Sequence, residues 1–349
     1  LARELYHLDR RTDKDVLVAG LLADSRSVVG LDPASRIAPT VFLQPHFPNV
    51  NFRLSVDQKG RTVLNSKQYD AVRSFPVFQG FKYIKTFTPL RRITTSYGAA
   101  VRFMQRNILA YQRGEWAKDV PPMIDDELTN RLMNRSFMID PDDRLCQDSV
   151  LVRFEDAKLN PTATFTALAA FLDIPYTESM TYCSMFGEID PESLAGNDLG
   201  FSTAAVYRTY DEYANDAERA FLEYFMRDVY QKYQYDFHYY NGQTVDASHL
   251  EQWTTKFTTL EKLIHSAWKY LMFPHIQIRR NEVALSGEEL ESAKCDALEQ
   301  YMQDLRENWR FIGQTLLRNL HFVNCHGQPL HMMPKLELDP ALLEQPLYH

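Results

Sequence analysis

Glycine-rich loops, paired cysteines, long apolar runs and excess positive charge are all missing from this chain of 349 residues. Its four cysteines, Cys146, Cys183, Cys295 and Cys325, stand far apart with no CxxC pair, which argues against both a zinc site and a disulfide framework. Taken singly, they are expected to be buried thiols, and no metal is expected. No run approaches the ~18 consecutive apolar residues of a membrane span. With no secretory leader visible either, the expected location is the cytoplasm. Lys and Arg total 38 against 46 Asp and Glu, a net charge of −8, so the chain lacks the basic surface of a general nucleic-acid or anionic-membrane binder. A local basic pocket for one anionic cofactor is compatible with that balance. Internal repeats and low-complexity tracts are absent as well.

What the chain does contain is an ordinary globular composition, 45% hydrophobic and 24% charged, long enough for one large domain and an appendage. Leu1, Leu5 and Leu8 share a helical face, and a second helical segment is expected over Asp13 to Ala23. The region around Gln44-Pro45-His46-Phe47-Pro48 is irregular, with brief strands at best near Asn51 to Leu54 and a strand at Thr62 to Leu64. Phe81 to Phe87 alternates and is aromatic, which predicts a strand. After Pro89, Ile93, Tyr97, Val101, Met104 and Ile108 recur at helical spacing and predict an amphipathic helix about five turns long. Ala110 to Gln147 is polar and helical around Pro121-Pro122, and reads as an insertion or lid.

The chain is organised around Ser149 to Tyr176, which changes from an apolar run ending in charge, Val150 to Asp156, to a run of helical period, Thr162 to Leu172. Asn160 is expected to cap that helix, with Pro161 at its first position, where a missing N–H costs nothing. Phe165, Leu168, Ala169 and Leu172 then face the sheet that holds Val150 and Val152. Glu155 and Asp156, as neighbours on a strand, point to opposite faces and form no acid/base dyad; a structural role is expected, with Arg153 pairing locally. Two strand–helix units of this kind predict an α/β fold with a mostly parallel sheet flanked by helices. A loop at Phe201 to Tyr210 precedes an amphipathic helix from Asp216 to Tyr233. From Gln243 the chain becomes helix-forming, with stripes at Leu260, Ile264, Trp268, Leu271 and at Leu298, Met302, Leu305, Trp309, Ile312, Leu316. The expected organisation is an α/β domain over residues 1–240 and an α-helical C-terminal extension over 241–349. Its stripes read as helix–helix core, and they offer a surface for homo-oligomer formation.

The stretch from Val150, with its Arg-Phe-Glu-Asp, its Asn160-Pro161 and a helix ending in Phe171-Leu172 before Ile174-Pro175, resembles the "RYEDL … P … FL" segment of sulfotransferases that use 3′-phosphoadenosine 5′-phosphosulfate (PAPS). A second likeness runs from Val63 to Tyr97. Phe75-Pro76, Lys82-Tyr83-Ile84, Pro89 and Thr95, with Ser96-Tyr97 following, fall in the order of that family's "KSP", "FP", strand, "RDP" and hydroxyl residue. The resemblance covers about Leu1 to Phe237. It implies a P-loop-like nucleotide-binding fold, PAPS as cofactor, and transfer of a sulfuryl group to a hydroxyl or amine of a carbohydrate or small metabolite, so that the partner is a small-molecule or glycan acceptor and not a nucleic acid.

The resemblance also implies site residues. A strand end followed by a helix start offers unpaired N–H groups and a hydroxyl to an anion, in the family the 3′-phosphate, which assigns Thr95 and Ser96. The Arg of "RDP" is Phe87 here and the Lys of "KSP" is Asn65, so either Lys85, Arg91 or Arg92 supplies the charge from nearby or the 3′-phosphate site is weak; Arg91 and Arg92 read otherwise as solvated cations. Gly200 and Arg208 resemble the late loop that closes over the 3′-phosphate, with Arg208 either a ligand or a surface arginine. His46 is the candidate catalytic base, or an incidental loop histidine. The family's "P-x-S-G-T-T" phosphosulfate loop has no counterpart, and it would be expected just ahead of a helix such as Leu1 to Leu8. The chain, which begins Leu1-Ala2-Arg3, therefore reads as cut after that loop, and little turnover is expected of it as it stands. Two other readings remain open, a non-catalytic sulfotransferase-like binding or scaffold protein and a P-loop kinase.

Overall fold

The computed structural model describes residues 53–56, 62–66, 85–115, 137–139, 148–182, 184–185, 188–189, 202–256, 279–280, 283–317, 321–324 and 327–343. In chain order these hold β1 (Arg53–Val56), β2 (Thr62–Ser66), β3 (Thr86–Leu90), α1 (Ile93–Gln112), β4 (Met138–Ile139), β5 (Ser149–Arg153), α2 (Phe154–Leu159) and α3 (Pro161–Leu172). After a 3-10 turn come β6 (Ser184–Met185), β7 (Glu188–Ile189), α4 (Ala204–Tyr207), α5 (Asp216–Phe225), α6 (Arg227–Tyr233) and α7 (Ala247–Thr254). Then follow β8 (Arg279–Arg280), β9 (Val283–Ala284), α8 (Gly287–Leu317), β10 (His321–Asn324) and β11 (His331–Met332). The character is α/β.

The sheet that matters for the site is parallel. β3 runs beside β5 with Phe87 opposite Val150 and Pro89 opposite Val152. Ser149, Val150, Leu151 and Val152 are all buried, as a strand covered on both faces requires. On the far side of β5 lies the C-terminal segment: the Leu151 N–H donates to the Pro334 carbonyl at 2.9 Å and the Leu336 N–H donates to the Leu151 carbonyl at 2.8 Å. One turn of pairing earlier, β11 lies antiparallel to β4, and the Met333 N–H reaches the Phe137 carbonyl at 2.8 Å. A separate ladder joins β1 antiparallel to β2 and β10 parallel to β2.

The region expected to be an α-helical extension therefore supplies strands as well as α7 and α8. α7 packs on both α5 and α8, and Leu330, Met333 and Leu336 are buried beside residues of the first 240.

The main core is built around α1. Ile93, Tyr97, Val101, Met104 and Ile108 are all at most 8% exposed, so the helical stripe read from the sequence is the buried one. It meets α5 and α6, which bury Phe221, Leu222, Phe225, Val229, Tyr230 and Tyr233. α5 begins with a capping box: the Asn215 side chain accepts from the Glu218 N–H and the Glu218 carboxylate accepts from the Asn215 N–H. A smaller cluster packs α3 on the sheet through Val150, Val152, Leu168 and Leu336, with Phe165 and Leu172 half-buried against it.

Several local expectations need correction. The strand after Lys85 covers Thr86 to Leu90 and includes Pro89, while residues 81–84 lie outside the described residues. A proline brings no ladder N–H, and β3 has β5 as its one paired neighbour among the described residues, which is the edge position that tolerates it. β5 stops at Arg153, and Glu155 and Asp156 lie on α2, not on a strand. Asn160 caps with its backbone alone. Its N–H donates to the Asp156 carbonyl at 2.8 Å, its carbonyl accepts from the Thr164 N–H at 2.9 Å, and its side chain makes no cap bond. Being shared between the ends of two helices, it lacks the extended backbone that aims a side chain at the third N–H. Pro161 does open α3.

The helix expected over 216–233 is two, because Met226 leaves helical geometry with φ −102° and ψ 17°. Cys295, expected to be a buried thiol, lies exposed on α8; the other three cysteines, Leu1 to Ala23, and the stripe from Leu260 to Leu271 lie outside the described residues.

Candidate anion site at the start of helix α1

β3 ends at Leu90 and α1 begins at Ile93, so Arg91 and Arg92 form the whole of the turn between them. The turn is held from below by Glu155, a buried carboxylate on α2. It accepts the Arg92 backbone N–H at 3.0 Å and the Tyr235 O–H at 2.9 Å, and the same phenol lies 3.0 Å from the Leu90 carbonyl. Burial, and then the Glu155 charge, push the Tyr235 phenol well above its usual value, so it stays a donor. Thr95 folds its hydroxyl back on the Arg92 carbonyl at 2.9 Å, and the Ser96 N–H reaches the same carbonyl at 2.9 Å. Both predicted hydroxyl residues thus sit at the start of α1: the Thr95 N–H is among the first-turn N–H groups that have no helical acceptor, while the Ser96 N–H makes the first helical bond.

The predicted cations divide into two sets. Lys85 donates to the Phe171 carbonyl at 2.6 Å and lies over the Phe171 ring, at the negative end of α3. Arg92 donates to the Asp236 carbonyl at 2.7 Å and lies over the Tyr235 ring. These two fasten the fold. Arg91 and Arg208 instead meet at Tyr210. Arg91 is sandwiched, with its guanidinium 4.7 Å from the Phe154 ring and 5.6 Å from the Tyr210 ring. It donates to the Ala205 carbonyl at 3.0 Å and to the Tyr210 oxygen at 3.5 Å, while its buried Nε has no acceptor. Arg208 is exposed, with its guanidinium 5.7 Å from the same ring. Among the described residues no carboxylate pairs with Arg91 or Arg208.

Tyr210 is the residue that sequence reasoning missed. Its backbone is left-handed, with φ 57°, which a bulky residue adopts only under constraint. The constraint is Gly98 on α1: a Cβ there would come within 2.5 Å of the Tyr210 Cβ. An isolated glycine inside a helical pattern was the available signal, since it commonly marks a close approach. Burial raises the Tyr210 phenol, but hydrogen bonding with Arg91 and its charge, followed by those of Arg208, outweigh burial and hold it below its ordinary value. His46 lies outside the described residues, as does Gly200. Among the described residues no group of His, Cys, Asp and Glu is arranged to hold a metal ion, and no helix is long and apolar enough to cross a membrane.

Compared with known proteins, the chain matches no family model, no curated protein and no solved structure.

Proposed function

We propose that the chain is a sulfotransferase-type protein with a P-loop-like α/β fold, which binds PAPS and moves its sulfuryl group to a hydroxyl or amine of a carbohydrate or small metabolite. The observation that carries this is the convergence of Arg91 and Arg208 on the Tyr210 phenol beside the first turn of α1, with no carboxylate to neutralise them among the described residues. Two guanidiniums set on one aromatic ring favour an anion beside it, and a phosphate is the acceptor-rich group whose geometry matches arginine forks. The parallel β3–β5 pair supports the reading, because ligands of open α/β sheets bind beyond the carboxyl ends of the strands, where Arg91 lies. The Thr95 backbone N–H and the Ser96 hydroxyl would add contacts to the 3′-phosphate; Arg92 would act by holding the turn, and Lys85 by tying the start of β3 to the end of α3.

The reaction would need stabilisation of charge on the leaving phosphate by cations, by analogy with phosphoryl transfer, and a base for the acceptor. The non-catalytic reading has one observation in its favour. Phe87 stands exposed where the resemblance calls for the phosphate-binding arginine, so among the described residues the site has two cations without a carboxylate and not three. Thermal-shift titration with adenosine 3′,5′-bisphosphate tests the cofactor reading. A rise in Tm that grows with ligand concentration is expected, and no shift at any concentration would sink it.

A further inference from the structure

The hydrogen-bond inventory around Tyr210 is unbalanced. Arginine has donors only, and a phenol has one donor beside its acceptor oxygen. That oxygen accepts from Arg91, so the phenol proton is directed elsewhere, and no acceptor for it is found among the described residues. Arg91 Nε is also a buried donor without an acceptor. Among the described residues no carboxylate pairs with Arg208: of the two in the adjoining loop, Asp211 is taken by Arg219 at 2.8 Å and by the Thr209 hydroxyl at 2.6 Å, and Glu212 forms no ion pair. Three side chains from the β3–α1 turn and the 202–210 loop therefore present donors to one place, with no carboxylate beside them among the described residues. The buried Arg91 Nε left in that condition costs free energy, and a group rich in oxygens and carrying negative charge would accept from all three side chains.

We infer that Tyr210 is an anion-binding residue of this site, its O–H joining Arg91 and Arg208 in holding a tetrahedral dianion of the phosphate class. Its left-handed backbone and its seat on Gly98 fix the phenol between the two arginines, so that it acts as a preorganised third donor. The inference rests on the cofactor reading only for what carries the phosphate; the phosphate chemistry itself comes from the donor set.

Calorimetric titration of the whole chain and of its Tyr210→Phe variant, with inorganic phosphate and separately with adenosine 3′,5′-bisphosphate, tests it. The ring and its packing survive in the variant, so loss of the O–H alone is read. A hydrogen bond to a charged partner predicts about tenfold weaker binding of both ligands. If phosphate binding weakens in Tyr210→Phe but the bisphosphate binds no better than phosphate, Tyr210 stands as a ligand and the PAPS reading falls. If the bisphosphate binds tightly and equally to both proteins, the PAPS reading stands and the role of Tyr210 is overturned. Absence of any anion binding overturns both.

A second readout is the ultraviolet tyrosinate signal, taken as the difference between the chain and the variant. The single phenol should ionise below the ordinary tyrosine range without phosphate and move up when phosphate binds, because an added anion opposes ionisation. A phenol with a packing role alone would not respond to phosphate, and that result would refute the assignment.

Discussion

Two charged clusters on neighbouring elements are built in opposite ways. Around α5, Glu223 is fully buried and accepts the successive backbone N–H groups of His238, Tyr239 and Tyr240 at 2.8 to 3.1 Å. Arg219, 3% exposed, donates to the Thr209 carbonyl and the Tyr239 oxygen at 2.9 Å and pairs with Asp211. Every charge there has a partner of the opposite kind. Across the 202–210 loop, Arg91, Arg208 and Tyr210 gather donors with no carboxylate among the described residues to meet them. The first arrangement holds a fold together, and the second is the sort a protein keeps for a ligand. The comparison separates residues by what their partners are, which charge alone does not do.

The comparison can be broken at four places. The largest effect is expected at Glu223→Ala. Removing a buried carboxylate leaves three N–H groups unpaired and should cost about 3 kcal/mol or more in denaturant unfolding. Arg91→Ala is expected to do the reverse, lowering affinity for adenosine 3′,5′-bisphosphate by about thirtyfold in calorimetric titration, the size of a lost charged contact. Equal loss of stability in the two variants would erase the distinction. Gly98→Ala tests the link between α1 and the loop. The added methyl must displace Tyr210, so a stability loss of about 1–3 kcal/mol is expected, accompanied by weaker anion binding. Lys85→Ala should show the smallest change. Loss of a cation at the α3 C-terminus is worth about 0.5–1 kcal/mol of stability and should leave bisphosphate affinity unmoved; a fall in affinity would return Lys85 to the phosphate site.

How much of this was readable in the sequence depended on the range of the interaction. The α1 stripe and the β5–α3 packing were readable, because a 3.6-residue period and an apolar strand are local signals. The seam at Asn160-Pro161 was found in place but not in mechanism, since a six-residue helix, α2, is too short to show a period. The break at Met226 carries no glycine or proline to announce it. The strand pairing of residues 334–336 with Leu151 depends on a contact across more than 180 positions, for which a short apolar segment gives no register. The site followed the same rule. Arg91, Thr95 and Arg208 could be named from their order along the chain, but the division between cations that fasten carbonyls and those that stay uncompensated is set by tertiary contacts. Tyr210 owes its position to a positive φ and to a glycine 112 residues away, neither of which a linear pattern displays.

The central claim is that the start of α1 and the 202–210 loop form one phosphate seat. A crystal structure of the chain with adenosine 3′,5′-bisphosphate tests it most directly. The account predicts the 3′-phosphate within hydrogen-bond distance of Arg91, Arg208 and the Tyr210 hydroxyl, with Lys85 and Arg92 still on the Phe171 and Asp236 carbonyls. A nucleotide seated away from these three side chains, or held by Lys85 and Arg92 in their place, would contradict it.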